Sequence, residues 1–150
     1  MPLALISLLL ALVAGITMAL QGSLNTVLSK VIGLLEATFV VHLVGTVTIA
    51  LVLLLFLLNK NGLDQIGQTP WYALLGGVLS VVIIYTVVAS ITKLGVAAAT
   101  TAIIVGQVST AVIIDHLGMF GLKQIPFTWW KLAGIVLLAT GAKLMLNVSR

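Results

Sequence analysis

Five long apolar runs, separated by short polar or glycine-containing breaks, organise the 150-residue chain. They cover about residues 3–28, 35–58, 71–91, 95–117 and 129–146. A helix needs about 20 mainly apolar residues to cross the hydrocarbon core of a bilayer, and the runs have that length. Asn59-Lys60-Asn61-Gly62 stops the second run, and a polar connector leads on to Pro70. Pro70 suits the first turn of the third helix. Lys93-Leu94-Gly95 reads as a tight turn, and Gly118, Gly121 and Pro126 break the chain between the fourth and fifth runs. Trp71, Tyr72, Trp129 and Trp130 stand at predicted span starts, where amphipathic rings favour the headgroup zone. No run shows the ten-residue alternation that a membrane β-barrel strand requires. Without a visible internal repeat or linker, the pattern predicts one all-α domain of five transmembrane helices over residues 1–150.

Composition strengthens this reading. Hydrophobic residues make up 61% of the chain and charged residues 7%, against about 25% charged in a typical soluble domain. With a mean hydropathy of +1.32, the class is an integral membrane protein. The first run has no Lys or Arg before it, so it reads as a transmembrane helix rather than a signal peptide. The net charge of +4 is scattered over single residues, unlike the clustered Lys/Arg face of a nucleic-acid binder, and no nucleic-acid partner is expected. There is no cysteine, which excludes disulfides and thiolate metal sites. The two histidines and three acidic residues lack metal-ligand spacing, so neither a metal nor another cofactor is expected.

Five spans put the two ends of the chain on opposite sides of the membrane. Lys60, Lys123 and Lys131 then face one side, and Lys30, Lys93, Lys143 and Arg150 the other. Orientation follows the Lys/Arg bias of the loops, and here the bias is close to nil. A single orientation set by finer details or by a partner chain is one explanation. The sharper expectation is insertion both ways, giving a ten-helix antiparallel dimer. Transporters built from inverted repeats have that symmetry, with the site at the repeat interface.

Polar residues inside the spans are the candidate chemistry. Thr17, Gln21, Asn25 and Ser29 step by four along the first span and share a face. Gln21 and Asn25 offer donors and acceptors to a neutral or zwitterionic ligand, or else hydrogen bonds between helices. In the second span, Glu36 and His42 lie roughly 120° apart around the helix. An ionisable group in a span is a functional hypothesis, so either can carry a coupling proton, Glu36 first. The alternatives are an interfacial carboxylate reaching water, Lys30 or Lys93, and a neutral packing histidine. Tyr85 in the third span can line a cation site or simply pack; Gly76, Gly77 and Ser80 read as a close-packing patch. Ala98, Ala102, Gly106 and Thr110 form a small-residue ridge on the fourth span, with Gln107 beside it. Asp115 and His116 close that span as a gate or a helix end. Gly134, Thr140 and Gly141 mark the fifth as a scaffold or dimer helix, with Lys143 able to snorkel to the interface.

Gln21-Gly-Ser-Leu-Asn25, Pro70-Trp71 with Gly76-Gly77, Leu94-Gly95-Val-Ala-Ala, Gly106-Gln107, Asp115-His116-Leu-Gly118 and Lys131-Leu-Ala-Gly134 together resemble the YdcZ-like family of the drug/metabolite transporter superfamily, over nearly the whole chain. The resemblance implies an EamA-like five-helix half-transporter in the inner membrane, paired with itself or a related chain and exporting a small molecule. Gln21, Asn25, Gln107 and Asp115 match its recurring polar positions. Glu36 and His42 depart from its apolar or Ser-rich pattern, pointing to a subgroup with its own substrate. The expectation is a secondary transporter subunit for a small polar or cationic metabolite, contacted by Gln21, Asn25, Gln107 and Tyr85. A channel-like pore and a non-transporting assembly subunit are the competing readings. A carbonyl-filter sequence is missing for the first, and a nucleophile–base pair is missing for an enzyme.

Overall fold

The computed structural model describes residues 2–56 and 62–148. It contains five α-helices: α1 (Pro2–Ile32), α2 (Leu34–Phe56), α3 (Leu75–Leu94), α4 (Val96–Leu117) and α5 (Trp129–Val148). Each of the five contains, or forms most of, a segment long and apolar enough to span a bilayer. The first is longer than the sequence pattern suggests, running over 29 residues from Ala4 to Ile32. Polar residues do not end it, because its hydroxyls bond to its own backbone. The Asn59–Asn61 stop and Lys60, like Arg150, lie outside the described residues. From Gly62 to Gln68 the connector winds as a 3₁₀ segment, and a second one, Trp71–Leu74, precedes α3. Pro70 caps that second segment with φ −56° and ψ 135°, so it stands before the span rather than inside its first helical turn.

The chain divides into two compact units, Met1–Ala89 and Ser90–Arg150. In the first, α1 packs against α2; in the second, α4 packs against α5. The buried positions are small, β-branched or polar: Asn25, Thr26, Ala37, Thr38 and Val88 in the first unit, and Ile91, Ala98, Ala99 and Ala142 in the second. Large side chains such as Leu8, Leu55 and Leu137 point outward. That inversion of a water-soluble core is what lipid permits, since association there depends on close backbone approach and not on withdrawing leucines from solvent. Of the small-residue ridge on α4, Ala98 is buried, while Ala102, Gly106 and Thr110 remain exposed.

Many hydroxyl groups inside the spans are satisfied locally. Thr17, Ser23, Thr26, Thr38, Thr48, Thr101 and Thr140 each donate to the carbonyl four residues earlier, at 2.7–2.8 Å. This back-bonding removes the desolvation penalty a free hydroxyl would meet in hydrocarbon. It also narrows the predicted polar face of α1. Thr17 bonds to Val13 and Ser29 to Thr26, leaving Gln21 and Asn25 as the residues with unspent amides.

One residue joins α1 to α2. Gly33 adopts φ +96°, its N–H donates to Ser29 O at 3.0 Å, and its carbonyl accepts from Ala37 N at 3.0 Å. The Glu36 carboxylate folds back over Gly33, into the space a Cβ would occupy. Glu36 lies in the first turn of α2, where the helix dipole favours negative charge.

Candidate functional site

The first unit contains a groove of about 490 Å³ between α2 and α3, lined by Leu35, Thr38, Phe39, His42, Val81, Val82 and Tyr85. Leu35, Thr38, Phe39 and His42 recur at the spacing of one helical face, as do Val81, Val82 and Tyr85 on the facing helix. The wall is almost wholly apolar and aromatic, with one imidazole and one phenol set into it. His42 is half-buried. Its Nδ1 lies 2.7 Å from Thr38 O, one turn back on α2, and its Nε2 lies 3.0 Å from Ser80 Oγ on α3. Ser80 Oγ in turn lies 2.7 Å from Gly77 O. The structure therefore brings two of the sequence-predicted residues, His42 and Tyr85, to one groove. Glu36 does not line it.

Ser80 was legible only as a member of a packing patch with Gly76 and Gly77. Its bond to His42 joins positions 38 residues apart, which periodicity within one helix cannot reveal. Phe39, the second aromatic of the groove, gave no signal because an apolar residue in a span is the default.

Gln21 and Asn25 sit one turn apart on α1 but in different surroundings. Asn25 is 7% exposed within the first unit, whereas Gln21 is on the exposed side of α1. Gln107 is likewise exposed on α4. Among the described residues neither glutamine side chain has a hydrogen-bond partner. Gln107 lies about 16 Å along α4 from its start, half-way through the span.

The end of α4 is a tethered turn. Gly118 caps the helix in the left-handed conformation, φ +60° and ψ +37°, and Gln124 Cβ and Leu122 O pack where a side chain at 118 would project. Asp115 O accepts from Ile125 N at 2.8 Å, and His116 O accepts from Gln124 Nε2 at 2.8 Å. Phe127 N donates to His116 Nδ1 at 3.3 Å, which requires that nitrogen to hold its lone pair and places the neutral ring's proton on Nε2. The Asp115 carboxylate lies 3.9 Å from Lys131 Nζ, and Lys131 also donates to Pro126 O at 3.3 Å. Thr128 Oγ1 accepts from Lys131 N at 3.4 Å, capping the start of α5. These contacts are those of a helix end holding a connecting loop. No group of three His, Cys, Asp or Glu residues able to hold a metal occurs among the described residues.

Five helical segments long and apolar enough to cross a bilayer define a multi-pass integral membrane protein. The chain belongs to the YdcZ family of the drug/metabolite transporter superfamily: the family described as "Putative inner membrane exporter, YdcZ" matches residues 6–144. It is thus an inner-membrane protein of the transporter class. No curated protein and no solved structure is significantly similar to it.

Proposed function

We propose that this chain is the half-subunit of a secondary exporter for a small polar or cationic metabolite, exchanged against a proton held at His42. Two copies in opposite orientations enclose the transport path. The observation that carries the dimer is the pair of unpartnered amides on Gln21 and Gln107. An unsatisfied amide in hydrocarbon costs several kcal/mol, so each needs water or polar groups from outside its own unit. A water-accessible path lined by a second copy supplies both. Balanced loop charge, with Lys residues on both predicted sides, supports insertion in either direction.

Within this reading Gln21, Asn25 and Gln107 hydrogen-bond the substrate, and Tyr85 offers its ring face to a cationic group. His42 replaces Glu36 as the first candidate for the coupling proton, because His42 faces the groove and Glu36 is turned back onto Gly33. Asp115 and His116 act by holding the α4–α5 connection.

Two results test the assembly and the substrate contact. Reporters fused at the C-terminus are expected to register both orientations in the membrane; a single orientation contradicts the antiparallel dimer. Gln107→Ala is expected to weaken substrate binding by about 0.5–1.5 kcal/mol, the net worth of one hydrogen bond, with little change in thermal stability. A variant that loses stability but keeps affinity assigns Gln107 to packing instead. A thermal-shift screen of the purified protein across amines, amino acids, sugars and nucleosides supplies the ligand for that assay.

A further inference from the structure

The three contacts around His42 specify a proton count. Thr38 O is a carbonyl oxygen and can only accept, so Nδ1 carries a hydrogen in every state that keeps the 2.7 Å contact. Ser80 has one hydroxyl hydrogen and two acceptors within reach, Gly77 O at 2.7 Å and, when it is bare, His42 Nε2 at 3.0 Å. With a neutral ring, Ser80 satisfies one of them and leaves the other. With a doubly protonated ring, all three contacts hold at once: Nδ1–H to Thr38 O, Nε2–H to Ser80 Oγ, and Ser80 O–H to Gly77 O.

From this we infer that Ser80 is the positioning residue for a proton on His42, and that rotation of its hydroxyl lets the bridge between α2 and α3 persist with either one or two protons on the ring. When His42 is neutral, Ser80 donates to Nε2. When Nε2 takes a proton from water in the groove, Ser80 keeps its own hydrogen and turns it to Gly77 O. Nothing is transferred to Ser80, and the incoming proton stays on the ring.

Among the described residues, no Asp, Glu, Lys or Arg lines the groove. Tyr85 is the other ionisable side chain lining the groove. Glu36, on the same helix, is folded over Gly33. Lys30 is in the last turn of α1, and Lys93 is in the last turn of α3.

The inference rests on the reading of His42 as the proton site, and its test is independent of transport. The full chain is labelled with ¹⁵N at the imidazole nitrogens and reconstituted in liposomes, and the two histidines are assigned with His42→Gln and His116→Gln. On the alkaline side, His42 is expected as the Nδ1–H tautomer with Nε2 bare and hydrogen-bonded. On the acid side both nitrogens carry hydrogen. Ser80→Ala is expected to shift the Nε2 resonance in both states and leave Nδ1 in place, and Ser80→Thr, which retains the hydroxyl, to restore it. A neutral ring protonated at Nε2, or an Nε2 resonance indifferent to Ser80→Ala, overturns the inference. The tautomer is read in the unmodified protein, so a poorly folding variant does not blunt the test. Export that fails to respond to pH, alongside the expected spectra, sinks the transport reading and not the switch.

Discussion

Replacing His42 with Gln is expected to abolish accumulation driven by a pH gradient while leaving the helices folded. One pH unit is worth 1.36 kcal/mol per proton, so one-for-one exchange sustains about a tenfold substrate gradient for each unit. Without a titrating group in the path, that ratio falls to one. Gln is a better helix former than His, and its amide can still reach both a carbonyl and a hydroxyl. Loss of coupling is therefore separable from loss of structure by comparing uptake with thermal stability. Glu36→Gln in the same assay distinguishes the two ionisable residues of α2. Retained accumulation assigns the proton to His42, and loss assigns it to Glu36. A His42→Gln protein that still accumulates substrate tenfold per unit removes His42 from the mechanism.

The largest effect on folding is expected at the single-residue joint between α1 and α2. Gly33 holds φ +96°, where any side chain is strained, and Glu36 Oε2 occupies the space a Cβ would take. Gly33→Ala should destabilise the protein by about 1–3 kcal/mol, the usual cost of a non-glycine residue held in such a conformation. The carboxylate is the far end of a flexible chain and can swing aside, so most of the loss should come from the backbone. A double-mutant cycle with Glu36→Ala measures the division. If removing the carboxylate restores most of the stability, the steric term dominates and the backbone argument is wrong. Unfolding of the purified protein in detergent, followed by circular dichroism, provides the four stabilities.

Much of the fold was readable from hydrophobic run length alone. Composition gave the class, and Pro70 with Trp71, Gly95, and Trp129 with Trp130 marked the starts of the third, fourth and fifth spans to within a few residues. The first apolar run ends at about Leu28, and α1 extends beyond it to Ile32. Ser29 bonds to Thr26 O inside the helix. The site was less legible. His42 and Tyr85 stood out singly, since an ionisable or phenolic side chain in a span always does. Their meeting in one groove, and the Ser80 hydroxyl between α2 and α3, depend on how two helices are rotated against each other. A chain read in one dimension carries no such information. Asp115 and His116 showed the reverse problem. Adjacent polar residues at a span end fit a gate as well as a cap, and only the bonds from Ile125, Gln124 and Phe127 reveal the tethered loop.

Saturable, proton-linked transport by this chain alone bears most directly on the central claim. The purified protein is reconstituted into liposomes containing a pH-sensitive dye, and amines from the ligand screen are added outside under an imposed pH gradient. The account predicts that at least one amine moves protons in the opposite direction, at a rate that saturates with amine concentration and disappears in His42→Gln. Proton movement that rises linearly without saturation, or is identical in the variant, contradicts it.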